Sequence, residues 1–155
     1  MVAVLSHDAI SASLLSFWNN QFPGGVVTVY PGMKVNTTDL TEWVELWIDS
    51  WSRKPQRIGG CSLNDVSVTV HSFVRASSQS GRIHELTDSI RSVFSQETIE
   101  LKDYSLSAEP LIGSIHMKEP ETRNLTKNTL DQRQVVLHHT VVVFRGFAQS
   151  DSTLN

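Results

Sequence analysis

Six histidines and one cysteine are the residues of this 155-residue chain best suited to catalysis or metal binding. An imidazole changes charge near neutral pH and can act as general acid, general base or metal ligand, while a thiolate is a strong nucleophile. Their spacing argues against these uses. His138 and His139 are neighbours in a run of strand-forming residues, so they point to opposite faces and cannot hold one metal together. His71 lies on the polar side of another strand and His84 on the helix that follows. These two can approach each other beside Glu85, but no carboxylate or cysteine has the spacing that would complete a site. Cys61 follows Gly59-Gly60 with no base nearby, and as the single cysteine it excludes an internal disulfide. Gly24-Gly25 and Gly59-Gly60 are too short to cradle phosphate, and no GxSxG, HExxH or CxxC occurs. The sequons at Asn36 and Asn124 are uninformative on the expectation that the opening residues, MVAVLSHD, are not a secretory signal. The expectation is a protein that is not an enzyme and holds no metal and no cofactor.

The length suits one domain with a core large enough to stand without disulfides or structural metal. Thirteen Lys and Arg against 16 Asp and Glu give a net charge of -3, with the basic residues scattered. A protein that grips nucleic acid phosphates would gather them into a patch. The longest apolar run, around 135–144, is about half of what a membrane helix needs.

The elements that must position these residues are legible from periodicity. Ser6 or Asp8 can cap a helix from His7 in which Ile10, Leu14, Phe17 and Trp18 share one face, ending before Phe22-Pro23-Gly24-Gly25. Residues 26–30, VVTVY, read as a strand. Residues 40–51 alternate with period two: Val44, Leu46 and Ile48 on a core face, Trp43, Glu45, Trp47, Asp49 and Trp51 on the other. Three tryptophans among carboxylates are unusual on a solvated face, and suggest cover by a loop, a helix or another subunit. Arg53-Lys54-Pro55 and Ile58-Gly59-Gly60 form a connection into a strand over 63–74, with Val66, Val68, Val70 and Val74 inward, and the two long strands are expected to pair. Ser80 is a plausible cap for a second helix carrying Ile83, Leu86, Ile90, Val93 and Phe94. Shorter strands follow at 98–104 and 111–117, then a polar segment, 119–133, read as a long loop or hairpin excursion. The last strand, 134–147, is the longest, and 148–155 reads as a loose tail. The order α-β-β-β-α-β-β-β predicts an α+β domain over 1–147: a mostly antiparallel sheet of five to six strands with two helices on one face.

This layout resembles the tail terminator, or tail completion, proteins of long-tailed bacteriophages. The resemblance is carried by the opening helix His7–Gln21 and by the first strand with Tyr30-Pro31-Gly32. It continues through Thr41-Glu42-Trp43-Val44, Arg57-Ile58-Gly59-Gly60, the strand to Phe73, the helix Arg82–Phe94 and the closing Val143-Phe144-Arg145-Gly146-Phe147. It spans nearly the whole chain, through loose motifs. It implies a structural virion protein, assembled in the host cytoplasm, that forms a homo-hexameric ring on the head-proximal end of the tail. The ring would stop polymerisation of the tail tube protein, join the head-tail connector or neck protein, and leave a central channel through which DNA passes without sequence-specific binding.

Subunit contacts are expected on the Trp43, Trp47, Trp51 face and the rim of the last strand with Arg145, with the 119–133 segment and its Arg123 reaching a neighbour or the tube. The second helix, through Arg82, Glu85 and Arg91, is an equal candidate. Competing readings are a head-tail connector subunit of different copy number, a small-ligand or carbohydrate-binding module using the tryptophan face, and an enzyme centred on His71, His84 and Glu85.

Overall fold

A computed structural model describes residues 5–52, 62–75, 81–126 and 137–151. It has two helices, α1 (His7–Gln21) and α2 (Arg82–Phe94), and seven strands: β1 (Val27–Val29), β2 (Glu42–Ser52), β3 (Leu63–Arg75), β4 (Thr98–Lys102), β5 (Leu111–Met117), β6 (Glu121–Asn124) and β7 (Leu137–Ser150). The strands form one sheet in the order β1-β2-β3-β7-β5-β4, with β6 also paired to β7. All pairings are antiparallel except β1 with β2. This is the α+β architecture that periodicity predicts, with the elements in the expected order.

Each helix forms where an apolar stripe meets a stop signal. Ser6 caps α1, its hydroxyl accepting the Ala9 N–H at 3.1 Å. The helix ends at Phe22, whose following proline excludes helical backbone. The cap of α2 is Gly81, with no side-chain bond, and the Ser80 cap lies outside the described residues. Both helices cover the same face of the sheet. Ile10, Leu14 and Trp18 of α1 join Leu86, Ile90 and Phe94 of α2 over Val44, Leu46, Val66, Val68, Val70, Val142 and Phe144 in one core. Trp18 is fully buried, stacks on Phe22 at 4.3 Å and donates its Nε1–H to Thr28 Oγ1 at 3.1 Å, so burial leaves its one polar atom satisfied. Beneath α2 the core carries one polar line. Ser72 and Thr140 share a hydroxyl bond, Thr140 meets Thr87 at 2.8 Å, and Thr87 donates to the Ile83 carbonyl at 2.6 Å.

Two expectations are corrected. The last strand does not stop at Phe147: Ala148 pairs with Ile115 and is fully buried, and Ser150 accepts the Ser62 N–H at 2.9 Å, so the loose tail cannot start at 148. Residues 148–150 are strand because β5 and the start of β3 flank them. The strand count rises from the expected five or six to seven: the polar 119–133 segment contains β6, paired antiparallel to β7 in keeping with the hairpin alternative, and its four exposed residues show no apolar alternation. Its strand geometry comes from pairing with β7. Residues 127–133 lie outside the described residues, as do Cys61 and the connection 53–60.

Candidate interaction surface

The sheet face opposite the helices is set by strand parity. Antiparallel partners share a face, so the register places Trp43, Phe73 and His139 in one row, Glu45, His71, Val141 and Arg123 in the next, and then Trp47, Thr69, Val143 and Glu121. Asp49, Ser67 and Arg145 follow, then Trp51, Asp65, Phe147 and His116.

At the lower end the rings cover one another. Trp43 is only 4% exposed: Phe73 stacks on it at 5.0 Å, the Arg75 guanidinium lies 5.4 Å from its ring, and its Nε1–H donates to Glu45 Oε1 at 3.2 Å. Trp43 therefore belongs to the monomer's own packing and offers no side chain to a neighbour, a correction to its place in the expected contact face. Trp47 and Trp51 are each 53% exposed. With Asp49 between them and half-buried Val143 and Phe147 two strands away, they form an aromatic surface that no described element covers.

His71 faces His139, Nδ1 to Nε2 at 2.9 Å, not His84. His84 lies exposed on α2, across the sheet from His71, because the side chain of His71 has the parity of Trp43 and Glu45 while α2 packs on the other parity. The proposed His71, His84, Glu85 centre is thus divided by the sheet. Burial pushes His139 down to about 4, with His71 adding to the effect, and burial also lowers His71 against the pull of Glu45. Two neutral imidazoles result at neutral pH, one donating its ring N–H to the bare nitrogen of the other. Among the described residues no group of three or more His, Cys, Asp or Glu is placed to hold a metal ion.

The basic candidates separate into two groups. Arg123 and Arg145 share the tryptophan face, Arg145 reaching Glu121 at 3.8 Å. Arg82, Glu85 and Arg91 belong to α2. Arg82 makes a two-pronged bond to Glu42 at 2.6 and 2.7 Å and meets Glu85 at 3.3 Å, which ties the start of α2 to β2 and holds Glu42 below the usual carboxylate range. Arg91 bonds Thr122 and Glu119, which ties the end of α2 to β6. These arginines brace the helix layer against the sheet. The residues that spacing did not single out are Val143, Phe147 and the His71–His139 pair. Only the register shows what lies beside them.

Beside Trp47, the Tyr30–Val35 turn and β2 enclose a cleft of about 350 Å³ lined by Tyr30, Met33, Val35 and Glu45. No protein-family model matches the sequence, and no curated protein matches it.

Proposed function

We propose that the chain is a ring-forming structural subunit of the tail terminator kind. Six copies would close on the head-proximal end of a phage tail tube, end its growth and present a joining surface to the head connector. The observation that carries the reading is the outer sheet face, where Trp47 and Trp51 stay half exposed beside Asp49, Arg123 and Arg145. Exposed aromatics with mixed charge are the composition of an interface centre and rim rather than of a solvated sheet face. Net charge fits the role: six chains at -3 each carry -18, and a lumen that repels phosphate lets DNA slide.

Native mass spectrometry over a concentration series, with electron micrographs of the same sample, tests this. The expected species has six times the 17.3 kDa chain mass and an open centre. Twelve copies would move the assignment to a connector ring. A chain that stays monomeric both alone and with purified tail tubes refutes the reading. The cleft beside Trp47 favours one second reading, a small-ligand or carbohydrate module. That reading requires a monomer whose tryptophan fluorescence changes on titration with sugars, and a change lost in Trp47→Ala.

A further inference from the structure

β2, β3, β7 and β6 run as one antiparallel ribbon, and at both of its sides backbone groups meet no described strand. On β2, β1 pairs with Trp43, Val44 and Glu45, a parallel ladder that also takes up the Leu46 N–H, so the positions from Ile48 onward have no strand partner on that side among the described residues. On β6, all four residues are exposed and, among the described residues, paired to β7 alone. Unpaired strand edges are templates for another chain, and proteins usually blunt them. The edge at β4 is blunted here: α1 lies along it, and Ser13 Oγ accepts the Lys102 N–H at 3.1 Å.

The two open edges have matching phase. Arg75 N–H donates to the Thr41 carbonyl at 2.9 Å, so by alternation the odd residues of β2 bond β3, while Ile48 and Ser50, beyond the reach of β1, aim their N–H and C=O groups outward. Leu125 N–H donates to the His139 carbonyl at 2.8 Å, which by the same alternation aims Thr122 and Asn124 outward from β6. Strand directions match too. β6 runs opposite to β2, so around an axis lying along the strands each β6 meets the next copy's β2 antiparallel.

We propose that the open edge of β2 in one copy pairs with β6 of the next, continuing the sheet from subunit to subunit; this deepens the ring reading above and rests on it. Side chains select the register. Keeping both sets on the same face allows Arg123 to lie opposite Trp47, Asp49 or Trp51. Opposite Trp47, it would bring Glu121 against Asp49, two carboxylates. Opposite Trp51, it would carry Glu121 beyond the end of β2. The remaining register sets Arg123 against Asp49 and Glu121 against Trp51, with Thr122 opposite Ser50 and Asn124 opposite Ile48, pairs whose backbone groups all aim outward. Because the two edges differ, the contact is head-to-tail, and closure leaves neither edge open.

The test is a charge exchange across the seam, read by native mass spectrometry with circular dichroism as the folding check. Asp49→Arg and Arg123→Glu each place like charges at every seam, so each variant alone stays folded but assembles only at concentrations at least about tenfold higher than the wild type. Mixed in equal amounts, each variant supplies the edge the other needs, and rings form with equal numbers of the two. Variants that assemble alone as the wild type does, or a mixture that stays dissociated, overturn the pairing and leave the ring reading standing. A wild-type chain that forms no ring, alone or on tail tubes, refutes the ring reading itself and the pairing with it.

Discussion

Gly146 sits where β7 exchanges one neighbour, β6, for another, β5. A Cβ at this position would lie 2.2 Å from the His116 carbonyl oxygen and 3.0 Å from the Met117 sulfur. Ordinary contact begins near 3.4 Å, so Gly146→Ala must drive β5 and β7 apart by about 1 Å. That displacement stretches the adjoining ladder, including the 2.9 Å bond from Lys118 N–H to the Arg145 carbonyl. Losing about two such bonds costs about 2 kcal/mol, and the residual crowding another 1–3 kcal/mol. The reduced freedom of the unfolded chain returns about 0.4–1 kcal/mol. The expected net loss is about 3 kcal/mol, or about 6–12 °C in melting temperature for a chain of this size. Urea unfolding of the variant measures it, with Gly25→Ala as the control. A methyl group on Gly25 would meet no atom within 4 Å, and the residue has no positive φ, so the control should stay within about 1 kcal/mol of the wild type. A loss below about 1 kcal/mol in Gly146→Ala would mean that the strands separate without weakening, and the reasoning from close approach would be wrong.

Two further outcomes follow from the outer face. Trp43→Ala should destabilise the monomer by about 3–5 kcal/mol, because it opens a void under Arg75 and beside Phe73, whereas Trp47→Ala should cost about 1 kcal/mol or less and weaken assembly instead. Chemical unfolding paired with native mass measurement separates the two, and a Trp47→Ala monomer that unfolds would place that ring in the core. Stability should also fall on acidification. His139 in the folded chain sits at about 4, below the ordinary 6.5, so the unfolded chain binds more protons between those values, and stability present above pH 6.5 is lost as pH drops toward 4. Unfolding midpoints across that range check the slope, which should shrink in His139→Phe.

Periodicity alone located both helices and every strand whose residues alternate. The valines of β3 and the apolar stripe of α2 carry their own signal, since burial of one face dictates their spacing. β6 carries none. All four of its residues are exposed, so its strand geometry comes from a ladder to β7 that no local pattern encodes. The end of β7 is hidden for a related reason: Gln149 and Ser150 look like a tail, and only their pairing with Leu63 of β3 and with Ser114 and Gly113 of β5 makes them sheet. Within the candidate surface, parity identified the tryptophan face but not the difference between its members. Trp43 is covered because Phe73 and Arg75 stand beside it, whereas Trp47 and Trp51 face Thr69 and Asp65, which are too small to shield an indole. The partner of His71 was likewise a matter of register, since His139 is 68 residues away in the chain.

The hydroxyl line beneath α2 acts as a detent on the helix. A helix lying on valines alone meets much the same surface after sliding by one turn, because dispersion contacts are non-directional. Here such a slide would break the 2.8 Å bond between Thr87 and Thr140, a loss of about 1 kcal/mol, while Thr87 keeps the Ile83 carbonyl and Thr140 keeps Ser72. Arg82 and Arg91, bonded to β2 and β6 from the two ends of the same helix, hold it against sliding in either direction. A force applied to the outer face of the sheet would therefore pass to the helix layer as a rigid displacement rather than being absorbed as slippage between layers.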